Sequence, residues 1–167
     1  MKIVTRLLFL FLSVIAVSCD HGLKPPEVEI NKTGLSGTIY YSNWPPADSI
    51  VLLKIVFFKT FPPSNILQEV LSNNAKTYPV ALDESLPINE NSTYYEIELG
   101  AETYEYIVVA QQFGPDYLTD WRAVGQYNSV PGDSLPSPVS IIQDSLLRNI
   151  DIYVDFNDPP VQYIEAE

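Results

Sequence analysis

Residues 50–59 read IVLLKIVFFK, and this stretch decides the fold. Apart from its two lysines, every residue in it is aliphatic or aromatic. Such residues favour strands, and an apolar run without alternation is typical of a strand that is covered on both faces. Proline pairs at 45–46 and 62–63 bracket the run and limit its ends, because proline cannot donate to a strand ladder.

Strand-like patterns continue along the chain. Tyr95, Ile97 and Leu99 alternate with glutamates, which predicts a half-buried strand. Residues 104–112 (YEYIVVAQQ) predict another strand, and the turn-like residues 100–103 predict a hairpin that joins the two. Further strand predictions fall at residues 35–41, 78–82, 122–127, 139–142 and 150–156.

One segment has helical spacing instead. In residues 65–71 (NILQEVL) the apolar residues recur three and four apart after Asn65, a residue type that caps helices. We therefore predict one short helix in a connection between strands. About seven strands without alternating helices predict an all-β fold, a two-sheet antiparallel sandwich, with a closed barrel as the alternative.

Two passages carry a family resemblance. Residues 36–40 (SGTIY) open the predicted domain, and residues 99–104 (LGAETY) lead into the valine-rich run at 106–110 (YIVVA). Both resemble the transthyretin-like, carboxypeptidase-regulatory-like sandwiches of secreted bacterial proteins, over residues 34–157. The resemblance implies an accessory, adhesive or spacer module more often than an enzyme, although such a fold implies no activity by itself.

The first eighteen residues (MKIVTRLLFLFLSVIAVS) have the pattern of a signal peptide. Lys2 and Arg6 precede the apolar stretch at 7–17. As a helix, this stretch would span about 16 Å, against about 30 Å of bilayer hydrocarbon. It is therefore too short to be a membrane span.

Residues 16–19 (AVSC) resemble the lipobox of bacterial lipoproteins. The resemblance implies that the chain is cut before Cys19, which then carries lipid and anchors the protein to the cell envelope. The expected location is the outer membrane or cell surface, with the inner membrane as the alternative. The alternatives are an ordinary secretory signal and a buried free cysteine. The predicted organisation is a signal peptide at 1–18, a lipidated cysteine and polar tether at 19–33, a sandwich domain at 34–157 and a C-terminal tail at 158–167.

Composition excludes several function classes. With 21 acidic and 9 basic residues the net charge is −12, which argues against a nucleic-acid partner. The chain has one cysteine and one histidine, and the histidine, His21, lies in the tether. These counts exclude a disulfide framework, a Cys-based zinc site and a multi-His metal centre, and they argue against a Ser-His or Cys-His nucleophile. No glycine-rich phosphate loop is present. We therefore expect no cofactor, no metal and no catalytic residue, with a carboxylate hydrolase as the alternative.

Aromatic residues in or beside predicted loops, together with one arginine, are the candidate binding residues. Aromatic faces beside polar groups suit sugar rings, peptides or a partner protein. The alternative is that the two indoles cap the ends of the core and anchor their loops. The candidates are Trp44, Tyr117, Trp121, Arg122 and Tyr127.

The motif Asp-Ser-aliphatic occurs at 48–50, 133–135 and 144–146. It is similar to the O-glycosylation motif of exported Bacteroidetes proteins. That similarity implies glycans on Ser49, Ser134 and Ser145. The alternative is ordinary turn chemistry before a strand.

These observations predict a bacterial cell-envelope lipoprotein with a non-catalytic β-sandwich module for binding or structure. One alternative is a carbohydrate-binding or carboxylate-based carbohydrate-active lipoprotein. Another is an accessory subunit of an envelope protein complex. The predicted partners are the membrane, through the lipid anchor, and a glycan or an envelope protein.

Overall fold

The computed structural model describes residues 32–64 and 66–163, which form a nearly all-β fold. The predicted fold class is therefore confirmed, whereas Cys19, the predicted signal peptide and most of the tether lie outside the described residues. Among the described residues, no helix has the length and apolar character that a membrane crossing needs. The elements are β1 (Gly34–Ser42), β2 (Leu52–Phe58), α1 (Ile66–Leu71), β3 (Ala75–Tyr78), β4 (Ser92–Glu98), β5 (Thr103–Tyr104), β6 (Tyr106–Gln112), β7 (Trp121–Gln126), β8 (Val139–Ser140), β9 (Leu146–Leu147) and β10 (Ile152–Asp155).

The main sheet has the strand order β3-β2-β6-β7-β10-β1-β4, and β9 pairs with the start of β1. A second, two-stranded sheet joins β5 to β8. The pairings of β1 with β9 and β10 are parallel, while the other pairings are antiparallel. The main sheet is therefore mixed, where the sequence predicted only antiparallel pairs.

The predicted hairpin between residues 95–99 and 104–112 is wrong. β4 pairs with β1, and β6 lies between β2 and β7. The burial of the two strands explains the difference. Every residue of β6 is buried, so it takes a central position that is covered on both faces. β4 is buried on one face only and forms an edge of the sheet.

The main sheet curls around one large core. Tyr78 of β3 and Tyr95 of β4 lie at opposite ends of the strand order, yet their rings are 6.2 Å apart. Phe57 of β2 also reaches Tyr95, with ring centroids 6.4 Å apart. The two edges of the sheet therefore approach each other, and the inner face encloses a sandwich-like core.

The prediction of a strand buried on both faces within residues 50–59 is confirmed over Leu52–Phe58, whereas Val51 is exposed and precedes the strand. Leu53, Ile55 and Phe57 belong to the inner core, whereas Val56 and Phe58 belong to a second cluster on the outer face. β6 divides in the same way between the two clusters. The outer cluster is covered by the partly buried side chains of Phe61, Val70, Trp121 and Tyr163.

The structure confirms the predicted short helix, α1, but not a strand over the whole of 78–82. β3 ends at Tyr78, and Val80 and Leu82 are exposed. Lys54 of β2 explains this ending. Its Nζ donates to the carbonyl oxygens of Pro79 (3.1 Å) and Ala81 (2.7 Å). These bonds hold the chain in a turn where the alternating pattern predicts a ladder.

Candidate functional site

The predicted binding residue Trp44 packs at the inner core. Its ring lies 4.7 Å from that of Tyr41 and 4.6 Å from that of Phe156, between centroids. Its indole Nε1 donates to the carbonyl oxygen of Glu90 (2.8 Å). These contacts match the alternative interpretation, in which the indole anchors a loop.

Tyr117 and Trp121 come together, on the opposite face of the sheet. Their rings meet edge to face at 5.5 Å, and Trp121 Nε1 donates to the carbonyl oxygen of Tyr117 (2.7 Å). Arg122 Nε donates to Gln111 Oε1 (2.9 Å), so its side chain is held along the sheet.

Tyr127 follows the end of β7 and packs against the inner core, as Trp44 does. Trp121, at the start of β7, packs instead against the outer cluster. The five predicted binding residues therefore do not form one surface. Only Tyr117 and Trp121 among them share a ring contact.

A cleft of about 740 Å³ lies on the outer face of the sheet. Its floor carries Tyr40 of β1 and Tyr153 of β10, which are register partners on adjacent parallel strands. Their rings stack with centroids 5.2 Å apart and planes inclined by 17°. Tyr40 is 41% exposed and Tyr153 is 70% exposed. The pair is therefore a rigid aromatic surface open to solvent.

One wall of the cleft is the loop at 128–134, which β7 holds in place. Gln126 Nε2 donates to Asn128 Oδ1 and to the carbonyl oxygen of Ser134, both at 3.1 Å. Asn128 Nδ2 in turn donates to the carbonyl oxygen of Asp133. Three hydrogen bonds donated by side-chain amides thus fix the loop beside the tyrosine pair.

The other wall is the segment 158–161, part of the predicted C-terminal tail. Gln162 attaches it to β7, because its side-chain amide accepts from Ala123 N (2.8 Å) and donates to Ala123 O (3.0 Å). Tyr163 Oη donates to the carbonyl oxygen of Ser134 (3.2 Å), which joins the two walls. The described tail residues therefore belong structurally to the domain.

The cleft is acidic. Asp133, Asp155 and Asp158 line it, and its described lining residues include no lysine or arginine. Asp155 Oδ1 accepts from Asn43 Nδ2 (2.8 Å) and Asn157 N (2.9 Å), and these bonds hold the pKa of Asp155 below its ordinary value. The cleft therefore suits a neutral or cationic ligand rather than an anionic one.

Tyr40 and Tyr153 are not among the binding residues predicted from the sequence. The available signal was their position, because each occupies an outward place in an alternating strand. Tyr40 stands between the buried Ile39 and Tyr41, and Tyr153 stands between buried residues of β10. Outward aromatic residues on two half-buried strands therefore indicated an exposed aromatic patch.

The three serines of the Asp-Ser-aliphatic motif differ in accessibility. Ser134 is exposed on the rim of the cleft, while Ser49 and Ser145 are half-buried. Ser145 also accepts from Gly34 N through its carbonyl oxygen (3.1 Å). Of the three, Ser134 is the position at which a glycan would meet the least steric hindrance.

Among the described residues, no group of three His, Cys, Asp or Glu side chains has the geometry to hold a metal ion. Comparisons with protein-family models, with curated proteins and with solved structures found no match for this chain. The tyrosine-lined cleft is therefore selected as the candidate binding site on its geometry and charge.

Proposed function

We propose that this protein is a lipid-anchored binding module of the bacterial cell envelope, and that its tyrosine-lined cleft binds a neutral glycan. The observation that carries the proposal is the stacked, exposed pair Tyr40–Tyr153 within a 740 Å³ cleft. Sugars bind to proteins by laying their C–H faces on aromatic rings while polar side chains bond their hydroxyl groups.

The cleft supplies both kinds of contact. Tyr40 covers one face of the Tyr153 ring, so the second face is the surface for a sugar ring. The carboxylates of Asp133 and Asp158 lie in the same lining and act as hydrogen-bond acceptors for hydroxyl groups. A cleft of this size also lies within the range of about 300–1,000 Å³ that is typical of small-ligand sites.

The module is proposed to bind without hydrolysis. A carboxylate glycosidase needs a general acid whose pKa is raised so that it stays protonated. The pKa of Asp155 moves in the opposite direction, because its hydrogen bonds with Asn43 and Asn157 favour the charged form. Its carboxylate stabilises the turn after β10.

Binding to soluble neutral polysaccharides tests the proposal. The full chain, solubilised in a detergent without sugar groups, is titrated with a glucan, a xylan and a galactomannan in isothermal calorimetry. We expect saturable binding of at least one of these, and we expect Tyr153→Ala to weaken it at least tenfold. Asp133→Asn should weaken it less, since it removes charge but keeps an oxygen acceptor.

Phe113→Ala is the matched control, because Phe113 is an aromatic residue that is 49% exposed and lies outside the cleft lining. It should bind as the unaltered chain does. Absence of binding to all three polysaccharides, or binding that Tyr153→Ala leaves intact, contradicts the proposal. New reducing ends during incubation with the bound polysaccharide contradict its non-catalytic part.

The anchor has a separate test, because it rests on the sequence of residues 16–19. Cys19→Ser removes the sulfur that lipid would modify. We expect the variant to leave the membrane fraction of the native host and the unaltered protein to gain the mass of its acyl chains. Continued membrane association of the variant would refute the anchor and leave the binding result untouched.

A further inference from the structure

A second concave site lies on the outer face of the sheet, beside the outer cluster. Three exposed leucines surround it, each from a different segment. Leu71 ends α1, Leu82 lies in the β3–β4 connection and Leu118 lies in the β6–β7 loop; they are 75%, 54% and 60% exposed. We call this the leucine pocket. Its volume is about 50 Å³, which is room for a few waters or one aliphatic side chain.

Hydrogen bonds from side chains of the sheet hold the loops that carry two of these leucines. Lys54 is 1% exposed and bonds the carbonyl oxygens of Pro79 and Ala81, next to Leu82. Trp121 bonds the carbonyl oxygen of Tyr117, next to Leu118. The apolar side chains are thus held outward on fixed backbone, and a partner that binds them meets a surface that is already organised.

The one charged group in the described lining of the pocket is the buried Lys54 ammonium, and carboxylates stand next to Leu82 and Leu118 in sequence, outside that lining. Asp83 and Glu84 follow Leu82, and both act electrostatically on Lys54 below. Asp116 and Asp120 stand on either side of Leu118 in sequence. An apolar centre within an acidic rim is complementary to an apolar side chain between cationic ones.

We infer that the leucine pocket is a docking site for a protein partner that inserts one aliphatic side chain flanked by lysine or arginine. Burying an aliphatic side chain contributes to binding at the centre, and the acidic rim selects for basic neighbours. The same rim disfavours an anionic lipid surface, and the net charge of −12 disfavours a second copy of this chain. The inference is independent of the glycan proposed for the cleft.

Synthetic peptides test the docking site on the full chain in nanodiscs of zwitterionic lipid. The first peptide has one leucine between lysines, the second has glutamates for the lysines, and the third has serine for the leucine. Fluorescence anisotropy measures binding, and methyl NMR of the leucines locates it. We expect the first peptide to bind with a Kd below about 1 mM, which corresponds to −4.1 kcal/mol. It should shift the methyl signals of Leu71, Leu82 and Leu118.

Two variants separate this site from the rest of the surface. Leu118→Asp should weaken binding at least tenfold, and Leu118→Ser should do so without added charge. Ile142→Asp is the matched control, because Ile142 is 68% exposed and lies outside the pocket lining. Tyr153→Ala should leave peptide binding unchanged, which distinguishes this site from the cleft.

Several results would overturn the inference. These are equal binding of the glutamate or serine peptide, no saturable binding of the first peptide up to about 1 mM, and methyl shifts only outside the pocket. Self-association that Leu118→Asp abolishes would identify a second copy as the occupant and also overturn it. Unchanged thermal unfolding of the variants checks that the fold is kept.

Discussion

The outer face of the sheet is covered at one side and open at the other. On β2 and β6 the outward side chains of Phe58 and Tyr106 are fully buried, and their rings stack with centroids 5.7 Å apart. On β1 and β10 the outward side chains of Tyr40 and Tyr153 also stack, at 5.2 Å, yet they are 41% and 70% exposed. The same sheet therefore carries one stacked aromatic pair that is buried in a core cluster and another that is exposed to solvent.

What differs is the covering layer. α1, the residues after β2 and the C-terminal segment lie over Phe58 and Tyr106, through the side chains of Phe61, Val70 and Tyr163. The tyrosine pair of the cleft has walls beside it, but no such layer lies above it within residues 32–64 and 66–163. A stacked aromatic pair therefore does not by itself indicate either a core or a binding site. It belongs to the core when other side chains cover it, and it is available for binding when they do not.

The largest expected effect is a difference in stability between the two pairs. Phe58→Ala should lower the free energy of unfolding by about 3–5 kcal/mol, because it leaves a cavity in a packed cluster. Tyr153→Ala should lower it by no more than about 1 kcal/mol, because the side chain is exposed and loses only its cross-strand stacking on Tyr40. Urea unfolding measures both, and equal losses would contradict the distinction between covered and open faces.

The next effect concerns Lys54, the charged residue beneath the covered side. Lys54→Met should destabilise the protein by about 1–2 kcal/mol at neutral pH, because two charge-assisted hydrogen bonds to Pro79 and Ala81 are lost. Lys59→Met is the control at the end of the same strand, where the ammonium pairs with Glu102 near the surface. Its loss should be smaller, as surface ion pairs contribute about 0–1 kcal/mol.

Lys54 also predicts a pH dependence. Burial lowers its pKa below 10.5, although Glu84 and Asp83 partly oppose the shift. The folded state then binds fewer protons than the unfolded state between the two pKa values, so stability rises with pH in that window. The difference in unfolding free energy between the unaltered chain and Lys54→Met should therefore widen as pH rises towards 10.5. A constant difference from neutral pH to 10.5 would show that Lys54 has the same pKa in both states.

Weakening the attachment of the C-terminal segment, which is part of the covering layer, should lower the free energy of unfolding by a smaller amount. Gln162→Ala deletes the side chain that bonds both Ala123 N and Ala123 O. We expect a loss of about 1 kcal/mol and faster hydrogen exchange at Ala123. Gln143→Ala is a control at another exposed glutamine, and it should leave exchange at Ala123 unchanged. If Gln162→Ala also leaves it unchanged, the tail does not hold the cover in place.

The smallest effect is expected at the open side. Glu96 on β4 pairs with Lys32 (2.6 Å), and this bond lowers the pKa of Glu96. The stabilisation from this ion pair is fully present above the pKa that Glu96 has in the unfolded chain. It is lost as the pH falls through the lower pKa that Glu96 has in the folded protein. Because both side chains are solvent-accessible, Glu96→Gln should change stability least of the variants, and any change should vanish in 1 M salt. Chemical denaturation at low and high salt measures this.

Sequence patterns predicted where strands and the helix lie better than they predicted which strands pair with each other. The continuous apolar run of β2 indicated two covered faces, and the alternation in β4 and β10 indicated one. The hairpin after Leu99 was predicted from proximity in sequence, but β4 and β6 take distant places in the sheet because their burial differs. The strand predicted at 78–82 does not form beyond Tyr78, because the Lys54 ammonium donates hydrogen bonds to the backbone carbonyls of Pro79 and Ala81.

The candidate site was the harder prediction. Trp44 and Trp121 were selected as aromatic residues in loops, yet each satisfies its indole N–H with a backbone carbonyl and packs against a different cluster. Tyr40 and Tyr153 are separated by more than a hundred residues in sequence. Their stacking depends on the parallel pairing of β1 with β10, which no local pattern records.

By itself, the sequence determined the all-β class, the strand buried on both faces and the short helix, because these follow from side-chain periodicity within a few residues. Only the tertiary structure decided which outward aromatic residues are covered and which are open. That choice depends on where α1, the residues after β2 and the C-terminal segment come to lie. Coverage is a property of segments distant in sequence, and it separates the outer core from the tyrosine-lined cleft.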